Sequence, residues 1–292
     1  MEHVVTYLQY LEYEKKYSPH TIDAYRRDLS QFDGFLSGIG EKTAVVDFRM
    51  IRRWIVSLAD EGDLSRTVNR KITTLRSFFR YLMKKGLITV NPMEKVGLLK
   101  VEKNLPVFVT ADKMDELLDE EPLDTGDFKA MRDRMILELF YMTGMRLSEL
   151  IHLKDGDVDA GAMTVKVLGK RNKERIIPLT AKFCGTLSQY ISLKKSAFPD
   201  TGMLFVLDSG KPLYERWVQR LTKQKMGAVT TLKKRSPHVL RHSFATGILD
   251  NGAELNAIKE ILGHASLSAT QVYTHNSLKR IRKVYQQAHP RA

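Results

Sequence analysis

The sequence predicts a mainly α-helical protein of two domains, with a small β-hairpin in the second domain. Apolar residues recur at helical spacing through the first 86 residues. A segment punctuated by proline and glycine follows, in which no amphipathic period survives. Further on, alternating apolar residues flank a short basic turn, which is typical of a hairpin. A chain of 292 residues is long enough for two domains of ordinary size.

The first 86 residues predict four helices joined by short turns. The second helix begins at Ser18-Pro19, where a capping side chain precedes a residue pre-set for the first turn. Glycines at 38 and 40 end that helix. The third helix runs from about Asp47 to Asp60. We therefore expect an N-terminal helical domain over residues 1–87.

The predicted fourth helix carries an unusual excess of basic residues. It starts near Ser65, and its apolar residues are Val68, Ile72, Leu75, Phe79 and Leu82. The other faces hold seven cations, and no acidic residue occurs among them. A solvated helix face normally mixes both signs of charge, so this pattern favours contact with DNA. The arginines that we expect to make this contact are Arg66, Arg70, Arg76 and Arg80.

The break in helical patterning predicts the domain boundary. Residues 88–109 contain Asn91-Pro92, Gly97 and Pro106, and we interpret them as a linker. The second domain then spans residues 110–292, with a strongly apolar helix from Met131 to Met142. Its predicted hairpin has a basic turn at residues 169–173. The flanking strand residues are Val165, Val167, Ile176 and Ile177.

Composition narrows the possible partners and cofactors. Cys184 is the single cysteine, so the fold depends on no internal disulfide and holds no multi-cysteine metal site. No carboxylate cluster points to a metal, and we expect no cofactor. The chain shows neither a signal peptide nor an apolar run long enough for a membrane span, so we expect a cytoplasmic protein without a membrane partner.

The charge of the chain favours a polyanionic partner. The formal net charge is +13, and from residue 211 onward 15 Lys and Arg face only 4 Asp and Glu. Cationic side chains that neutralise phosphates release condensed counterions, which favours binding to nucleic acid. Ribosomal and membrane-surface proteins share such a charge, so the charge alone does not decide the partner.

Four short segments of the second domain carry residues suited to phosphoryl transfer on DNA. Metal-free transfer needs cations on the non-bridging oxygens, an acid for the leaving oxygen and an in-line nucleophile. Arginine suits the first task because its planar fork stays charged. The segments are Thr143–Leu150, Gly169–Arg175, His238–Thr246 and Leu262-Gly263-His264 with Tyr273 nine positions further on.

Together these segments resemble the motifs of the tyrosine recombinase (phage integrase) family, and most closely its Xer type. The resemblance covers essentially the whole length and includes the Thr-Gly-Met-Arg, Gly-Lys, His-x-x-Arg and Leu-Gly-His boxes and the following tyrosine. It implies that Tyr273 is the nucleophile. It implies that the activating residues are Arg146, Lys170, His238, Arg241 and His264.

The resemblance also implies a reaction and an assembly. Tyr273 would form a 3′-phosphotyrosyl link to double-stranded DNA without ATP or a metal ion. Two domains would clamp the DNA, and a homo- or hetero-tetramer would act on two duplexes, with a DNA translocase as a candidate activator. The expected role is resolution of chromosome dimers before cell division. The alternatives are a mobile-element integrase, a type IB topoisomerase-like enzyme and a catalytically silent DNA-binding protein.

The end of the chain predicts an amphipathic helix. Its apolar stripe lies opposite four cations, and such a stripe needs a groove to bury it. Packing on its own domain is one possibility, and docking into a neighbouring subunit, which the family resemblance implies, is the one we expect. The stripe consists of Leu278, Ile281, Val284 and Tyr285.

Overall fold

The computed structural model describes residues 3–40, 46–101, 107–119, 126–169, 173–263 and 275–291, with the backbone alone for residues 275–280. The chain divides into two compact units, Met1–Asn104 and Leu105–Ala292. Helices dominate both units, and the described strands all belong to one small sheet in the second. No helix in the described ranges combines the length and apolar character needed to cross a bilayer.

Within its described residues, the first unit is a bundle of four helices, as predicted. Helix α1 covers Val4–Gln9 and continues as a π-helical turn over Tyr10–Glu14. Helix α2 covers Pro19–Gly38, and the Ser18 hydroxyl accepts a hydrogen bond from the Thr21 N–H. Helices α3 and α4 cover Phe48–Asp60 and Ser65–Lys84. The Asp47 carboxylate caps α3, so sequence signals at helix starts located these elements correctly.

Helix α4 is the centre of this bundle. Every residue of its predicted apolar stripe is buried, and Phe78 and Tyr81 are buried beside it. Phe79 packs edge-on against Phe32 of α2, which in turn packs on Trp54 of α3. Burying such large side chains stabilises the bundle by roughly 1.5–3 kcal/mol for each before entropy costs.

The basic character of α4 is partly neutralised by other elements, which the sequence pattern did not reveal. Arg70 forms an ion pair with the buried carboxylate of Asp28 on α2. Lys71 is itself buried and pairs with Asp63 at 2.6 Å. The absence of acids within α4 therefore does not leave all of its cations free, because tertiary contacts supply the missing partners.

Part of the segment interpreted as a linker packs against α4. Met93 and Val96 are buried in the core of the first unit. The Asn69 side chain bonds both the N–H and the carbonyl oxygen of Leu99, each at 2.8 Å. Arg76 donates to the Val96 carbonyl oxygen at 2.7 Å, so one predicted DNA-contacting arginine holds this segment in place.

The second unit contains eight helices within the described residues. The first four are α5 Ala111–Asp119, α6 Phe128–Thr143, α7 Leu147–Ile151 and α8 Ala181–Ala197. The last four are α9 Glu215–Val229, α10 Pro237–Asp250, α11 Leu255–Leu262 and α12 His275–Ala288. A single turn of 3₁₀ helix covers Asp155–Asp157.

Between α7 and α8 lies an antiparallel sheet of three strands in the order β1-β2-β3. The strands are β1 Val158–Asp159, β2 Thr164–Leu168 and β3 Glu174–Pro178. Strands β2 and β3 pair with Val167 opposite Arg175, which confirms the predicted hairpin. The sequence did not predict β1, because two residues are too few to show alternation.

Helices α6 and α10 pack together at the centre of the second unit. Apolar residues cover α6 on all sides, which fits a helix enclosed by others. Gly144 ends α6 with a left-handed φ of 57°. A Cβ at Gly144 would collide with the Phe244 ring of α10, so this glycine permits both the turn and the close approach.

Helix α12 packs on its own unit in the single chain, and the expected docking into a neighbouring subunit stays a prediction. Ile281 and Tyr285 are buried, and the Tyr285 hydroxyl donates to the Met142 carbonyl oxygen at 3.0 Å. His289 stacks on Tyr285, and Arg291 forms ion pairs with Asp115 and Asp119 of α5. Of the predicted stripe, Ile281 and Tyr285 are therefore buried on the chain's own unit and Val284 is half-buried, while the side chain of Leu278 lies outside the described residues.

Candidate functional site

The structure brings together two of the six residues predicted to be catalytic and places a third beside them. Arg146 immediately precedes α7, and Arg241 lies on α10. His238 lies one helical turn before Arg241. Lys170, His264 and Tyr273 lie outside the described residues, and the chain is described up to the adjoining Gly169 and Gly263.

Arg146 is anchored by a carboxylate three residues further on. Its backbone N–H donates to Oε2 of Glu149 at 2.7 Å, and its Nη1 donates to Oε1 of the same residue at 2.7 Å. Nη2 donates to the Gly263 carbonyl oxygen at 3.3 Å. The side chain keeps 33% of its surface exposed. Arg146 is therefore fixed at its base while part of its guanidinium faces solvent.

Arg241 is held by two backbone carbonyl oxygens from different parts of the chain. Its Nη1 donates to Gly144 at the end of α6, and its Nη2 donates to Leu262 at the end of α11, the latter at 2.9 Å. Burial first, and then the charge of Arg146, lowers the pKa of Arg241 to about 10. The guanidinium therefore remains charged at neutral pH. We call Arg146 and Arg241 the arginine pair.

Two buried residues that sequence reasoning missed connect the arginine pair to the hairpin. Arg175 of β3 forms a bidentate ion pair with Glu149, with Nη1–Oε1 2.9 Å and Nη2–Oε2 2.7 Å. Its Nε donates to the Ile261 carbonyl oxygen at 2.8 Å. Glu149 stands in the Thr143–Leu150 segment three positions after Arg146, a capping-box spacing that could have indicated its role.

The C-terminus of α11 thus accepts from three arginines in succession. The carbonyl oxygens of Ile261, Leu262 and Gly263 bond Arg175, Arg241 and Arg146 respectively. The last carbonyls of a helix lack intrahelical partners and carry partial negative charge, so they suit cations. Three arginines and one carboxylate, that of Glu149, meet at this point, so the site keeps a net positive charge suited to a phosphate group.

The charge state of Glu149 follows from this environment. Burial raises the pKa of its carboxyl, but the hydrogen bonds and charge of Arg175, followed by those of Arg146, outweigh burial and hold the pKa at about 2. The carboxylate is therefore ionised throughout the physiological range. A buried charge of this kind is tolerated only because it is paired and hydrogen-bonded.

His238 and Arg241 line a largely apolar groove of about 440 Å³ between α10 and α11. His242 lies one turn beyond His238 and lines the same groove. Two histidines four positions apart on a helix have a spacing that metal ligands use. No cluster of three or more His, Cys, Asp or Glu side chains suited to a metal occurs within the described ranges.

The four arginines predicted to contact DNA are not equivalent. Positions 66, 70, 73, 77, 80 and 84 follow one face of α4. Arg66 and Arg80 are exposed on this face, whereas Arg70 is tied to Asp28 and Arg76 lies off it, bonded to Val96. Helix α9 of the second unit carries a further exposed basic surface, which the sequence showed only as a regional charge excess. Its cations are Arg216, Arg220, Lys223 and Lys225.

Comparison with family models covers both units. Residues 107–280 match the phage integrase family, and residues 4–86 match the N-terminal SAM-like domain of phage integrases. A tyrosine recombinase XerC of Thermodesulfovibrio yellowstonii is 38% identical over 294 residues, covering 99% of this chain and 96% of its own. The chain belongs to the phage integrase family of tyrosine recombinases.

Other relatives agree with this assignment. A tyrosine recombinase XerD of Staphylococcus haemolyticus is 40% identical over 295 residues, which cover 98% of each chain. The fold of the chain described above is also similar to that of XerH bound to its difH substrate. The TM-score is 0.73 at 23% identity, and the match covers 90% of this chain and 78% of the XerH chain. A Tn1549 transposon integrase bound to DNA has a TM-score of 0.75 at 19% identity, covering 96% and 98%.

We predict that Glu149→Gln removes an acid-sensitive contribution to the stability of this recombinase. The folded-state pKa of Glu149 lies below its unfolded value, so its contribution is full above about pH 4.5 and is lost as the pH falls towards about 2. The shift corresponds to at most about 3 kcal/mol of unfolding free energy. Urea unfolding at pH 7, 5 and 3, followed by Trp217 fluorescence in a Trp54→Phe background, measures it.

The matched control is Glu174→Gln on the same hairpin, because that carboxylate is exposed and lies 3.8 Å from Lys166. The wild type and Glu149→Gln should differ most at pH 7 and converge at low pH. A difference that stays constant from pH 7 to pH 3 would show that the Glu149 ion pairs do not supply the stabilisation.

Proposed function

We propose that this recombinase exchanges DNA strands at a specific site through a covalent bond to Tyr273. The phenolic oxygen attacks the scissile phosphorus, a 3′-phosphotyrosyl bond forms, and the bond from phosphorus to the 5′ oxygen breaks. The 5′ hydroxyl of a partner strand then attacks the phosphotyrosyl bond and releases the tyrosine. One phosphodiester replaces another of similar energy, so the reaction needs no ATP.

The observation that carries this proposal is the arginine pair. Two guanidinium groups from separate helices converge on the end of α11, held there by Glu149 and backbone carbonyls. We assign Arg146 and Arg241 to the non-bridging oxygens of the scissile phosphate, where planar forks with fixed charge stabilise the transition state. The charge of the pair takes the place of a metal ion, so we propose that the chemistry needs none.

Proton transfers fall to the remaining predicted residues. We assign Lys170 as the acid that protonates the leaving 5′ oxygen, since it follows Gly169 at the end of β2. His238 is exposed and lines the same groove as Arg241, and we assign it to receive the phenol proton of Tyr273. His264, directly after Gly263, is assigned to the phosphate together with the arginine pair.

The proposed DNA surfaces lie on both units. The exposed face of α4 and the basic surface of α9 present cations suited to the phosphate backbone. We infer that residues 1–87 bind the core of the recombination site, that residues 110–292 carry catalysis, and that the two close around one duplex. Strand exchange requires two duplexes, for which we propose a homo- or hetero-tetramer.

The names of the relatives support an Xer-type role. Chains called XerC and XerD match at 35–40% identity over nearly the whole length. The similarity to the transposon integrase, at 19% identity, shows the fold alone. We therefore propose resolution of chromosome dimers in the cytoplasm, rather than integration of a mobile element.

We predict that Tyr273→Phe abolishes covalent capture of DNA and leaves binding within about twofold, since only one hydroxyl is lost. The substrate is a nicked duplex carrying a site that the purified protein has selected from random-sequence DNA. A denaturant-resistant adduct is measured by gel, with Tyr285→Phe as the control because that hydroxyl is fully buried. An adduct formed by Tyr273→Phe would remove Tyr273 from the role of nucleophile.

We predict that Arg66→Gln with Arg80→Gln weakens DNA binding and lowers the slope of log affinity against log salt by about two, one for each phosphate contact. Fluorescence anisotropy over a salt series measures the slope. Lys113→Gln is the control, since that cation pairs with Glu116 on α5. If the double substitution leaves the slope unchanged, the exposed face of α4 is an ordinary solvated surface that does not contact DNA.

A further inference from the structure

We propose that Arg175 is a positioning residue. It sets the geometry of the arginine pair, and it also positions the backbone that directly precedes two further candidate catalytic residues, Lys170 and His264. This inference rests on the strand-transfer function proposed above. Arg175 itself is 4% exposed, too deeply buried to reach a phosphate in the site. Its effect must therefore pass through the residues that it contacts.

The first of these contacts leads to Arg146. Arg175 and Arg146 bind the same carboxylate, because Oε1 of Glu149 accepts from Nη1 of both arginines, at 2.9 Å and 2.7 Å. Arg175 occupies both oxygens of Glu149 at once, which fixes the plane of the carboxylate. The direction in which Arg146 points is therefore set by the bidentate pair behind it.

The second contact leads to Arg241. Arg175 holds the Ile261 carbonyl oxygen, and the next carbonyl along the chain, that of Leu262, holds Arg241. Strand β3 is thereby tied to the end of α11. A shift of Arg175 moves the acceptors of both members of the arginine pair.

Two glycines enclose the side chain of Arg175. A Cβ at Gly263 would lie 3.3 Å from its Cδ, and Gly263 also needs its left-handed φ of 65°. A Cβ at Gly169 would lie 3.5 Å from its Nη1 and 3.2 Å from the Lys173 carbonyl oxygen. The backbone passes close to the guanidinium on both sides, so the slot fits an arginine and leaves little room to spare.

These two glycines directly precede Lys170 and His264 in the sequence. The contacts of Arg175 therefore fix the position of Gly169 and Gly263, from which the chain continues into the two candidate catalytic residues. The left-handed φ of Gly263 and its close approach to Arg175 explain the glycine of the Leu-Gly-His segment. Arg175 thus lies beside the residues that precede two of the predicted catalytic positions and, through Glu149, holds a third predicted catalytic residue, Arg146.

Lysine cannot take over this role. Its single ammonium group can make one or two of these bonds, whereas the guanidinium makes two bonds to Glu149 and one to Ile261 in a fixed plane. Arg175→Lys therefore keeps a buried positive charge but loses the fixed, planar set of three hydrogen bonds. This separates a positioning role from a purely electrostatic one.

The second unit offers a matched control. Arg132 of α6 is equally buried, with 3% of its side chain exposed, and its ion pairs are with Asp133 and Asp208. It also donates to the carbonyl oxygen of Val206. Its described contacts include none of the predicted catalytic residues. Arg132→Lys makes the same chemical change in a comparable environment away from the site.

The experiment compares cleavage of two nicked duplexes by the wild type, Arg175→Lys and Arg132→Lys. One duplex has an ordinary scissile phosphate, and the other has a methylphosphonate, in which a methyl group replaces one charged oxygen. If the arginine pair is displaced, the cleavage rate should fall more on the phosphate duplex, because the phosphate carries the negative charge that the methylphosphonate lacks. We expect Arg175→Lys to slow cleavage of the phosphate by about tenfold to a hundredfold, with a clearly smaller loss on the methylphosphonate and DNA affinity unchanged.

Arg132→Lys should change both rates by the same factor, whatever its effect on the melting temperature. Equal losses on both duplexes for Arg175→Lys, or no loss on either, would overturn the inference. A wild type that forms no adduct would instead defeat the proposed function, and the role of Arg175 with it. If Arg175→Lys does not fold, Arg175→Gln replaces it, and the same selective loss on the phosphate duplex is required.

Discussion

The site depends on one buried carboxylate, that of Glu149, shared between two arginines. Burial of the Glu149 carboxylate carries a desolvation penalty, which its hydrogen bonds to Arg175 and Arg146 offset. There are four of these bonds, and one of them comes from the backbone N–H of Arg146. Because the pairing is bidentate on one side, it fixes orientation as well as charge. Arg146 is thus held in place by the protein's own side chains, which is the condition for electrostatic stabilisation without reorganisation.

The packing of the second unit serves this arrangement. Helices α6, α10 and α11 end or begin where the arginine pair lies, and Gly144 lets α6 approach the Phe244 ring of α10 closely enough for Arg241 to reach the Gly144 carbonyl oxygen. The carbonyls at the end of α11 find their partners in arginines and not in water. Helix α12 packs on the same core through Ile281 and Tyr285.

Sequence reasoning located the helices, the hairpin and the members of the arginine pair, because capping residues, apolar spacing and short motifs are local signals. Glu149 and Arg175 stand only 26 positions apart, yet no local signal pairs them, since their contact depends on how β3 meets α7. The same limit applies in the first unit. Arg70 and Lys71 looked free within α4, and their partners Asp28 and Asp63 came from elsewhere.

The docking of α12 shows a second limit. Its amphipathic stripe predicted burial, but a stripe does not say which groove receives it. In the single chain, the Tyr285 hydrogen bond to Met142 and the Arg291 ion pairs to α5 hold α12 on its own unit. Such contacts join residues more than a hundred positions apart, beyond any periodicity in the sequence.

The most direct test of a pre-formed arginine pair is a crystal structure with cleaved DNA and vanadate, whose five-coordinate form imitates phosphorus in the transition state. We predict that Arg146 and Arg241 each contact a non-bridging vanadate oxygen, while Glu149 keeps both hydrogen bonds to Arg175 and α11 keeps its carbonyl contacts. If Arg146 leaves Glu149 to reach the vanadate, or if Arg175 turns away, the arginine pair is assembled by DNA and is not pre-formed.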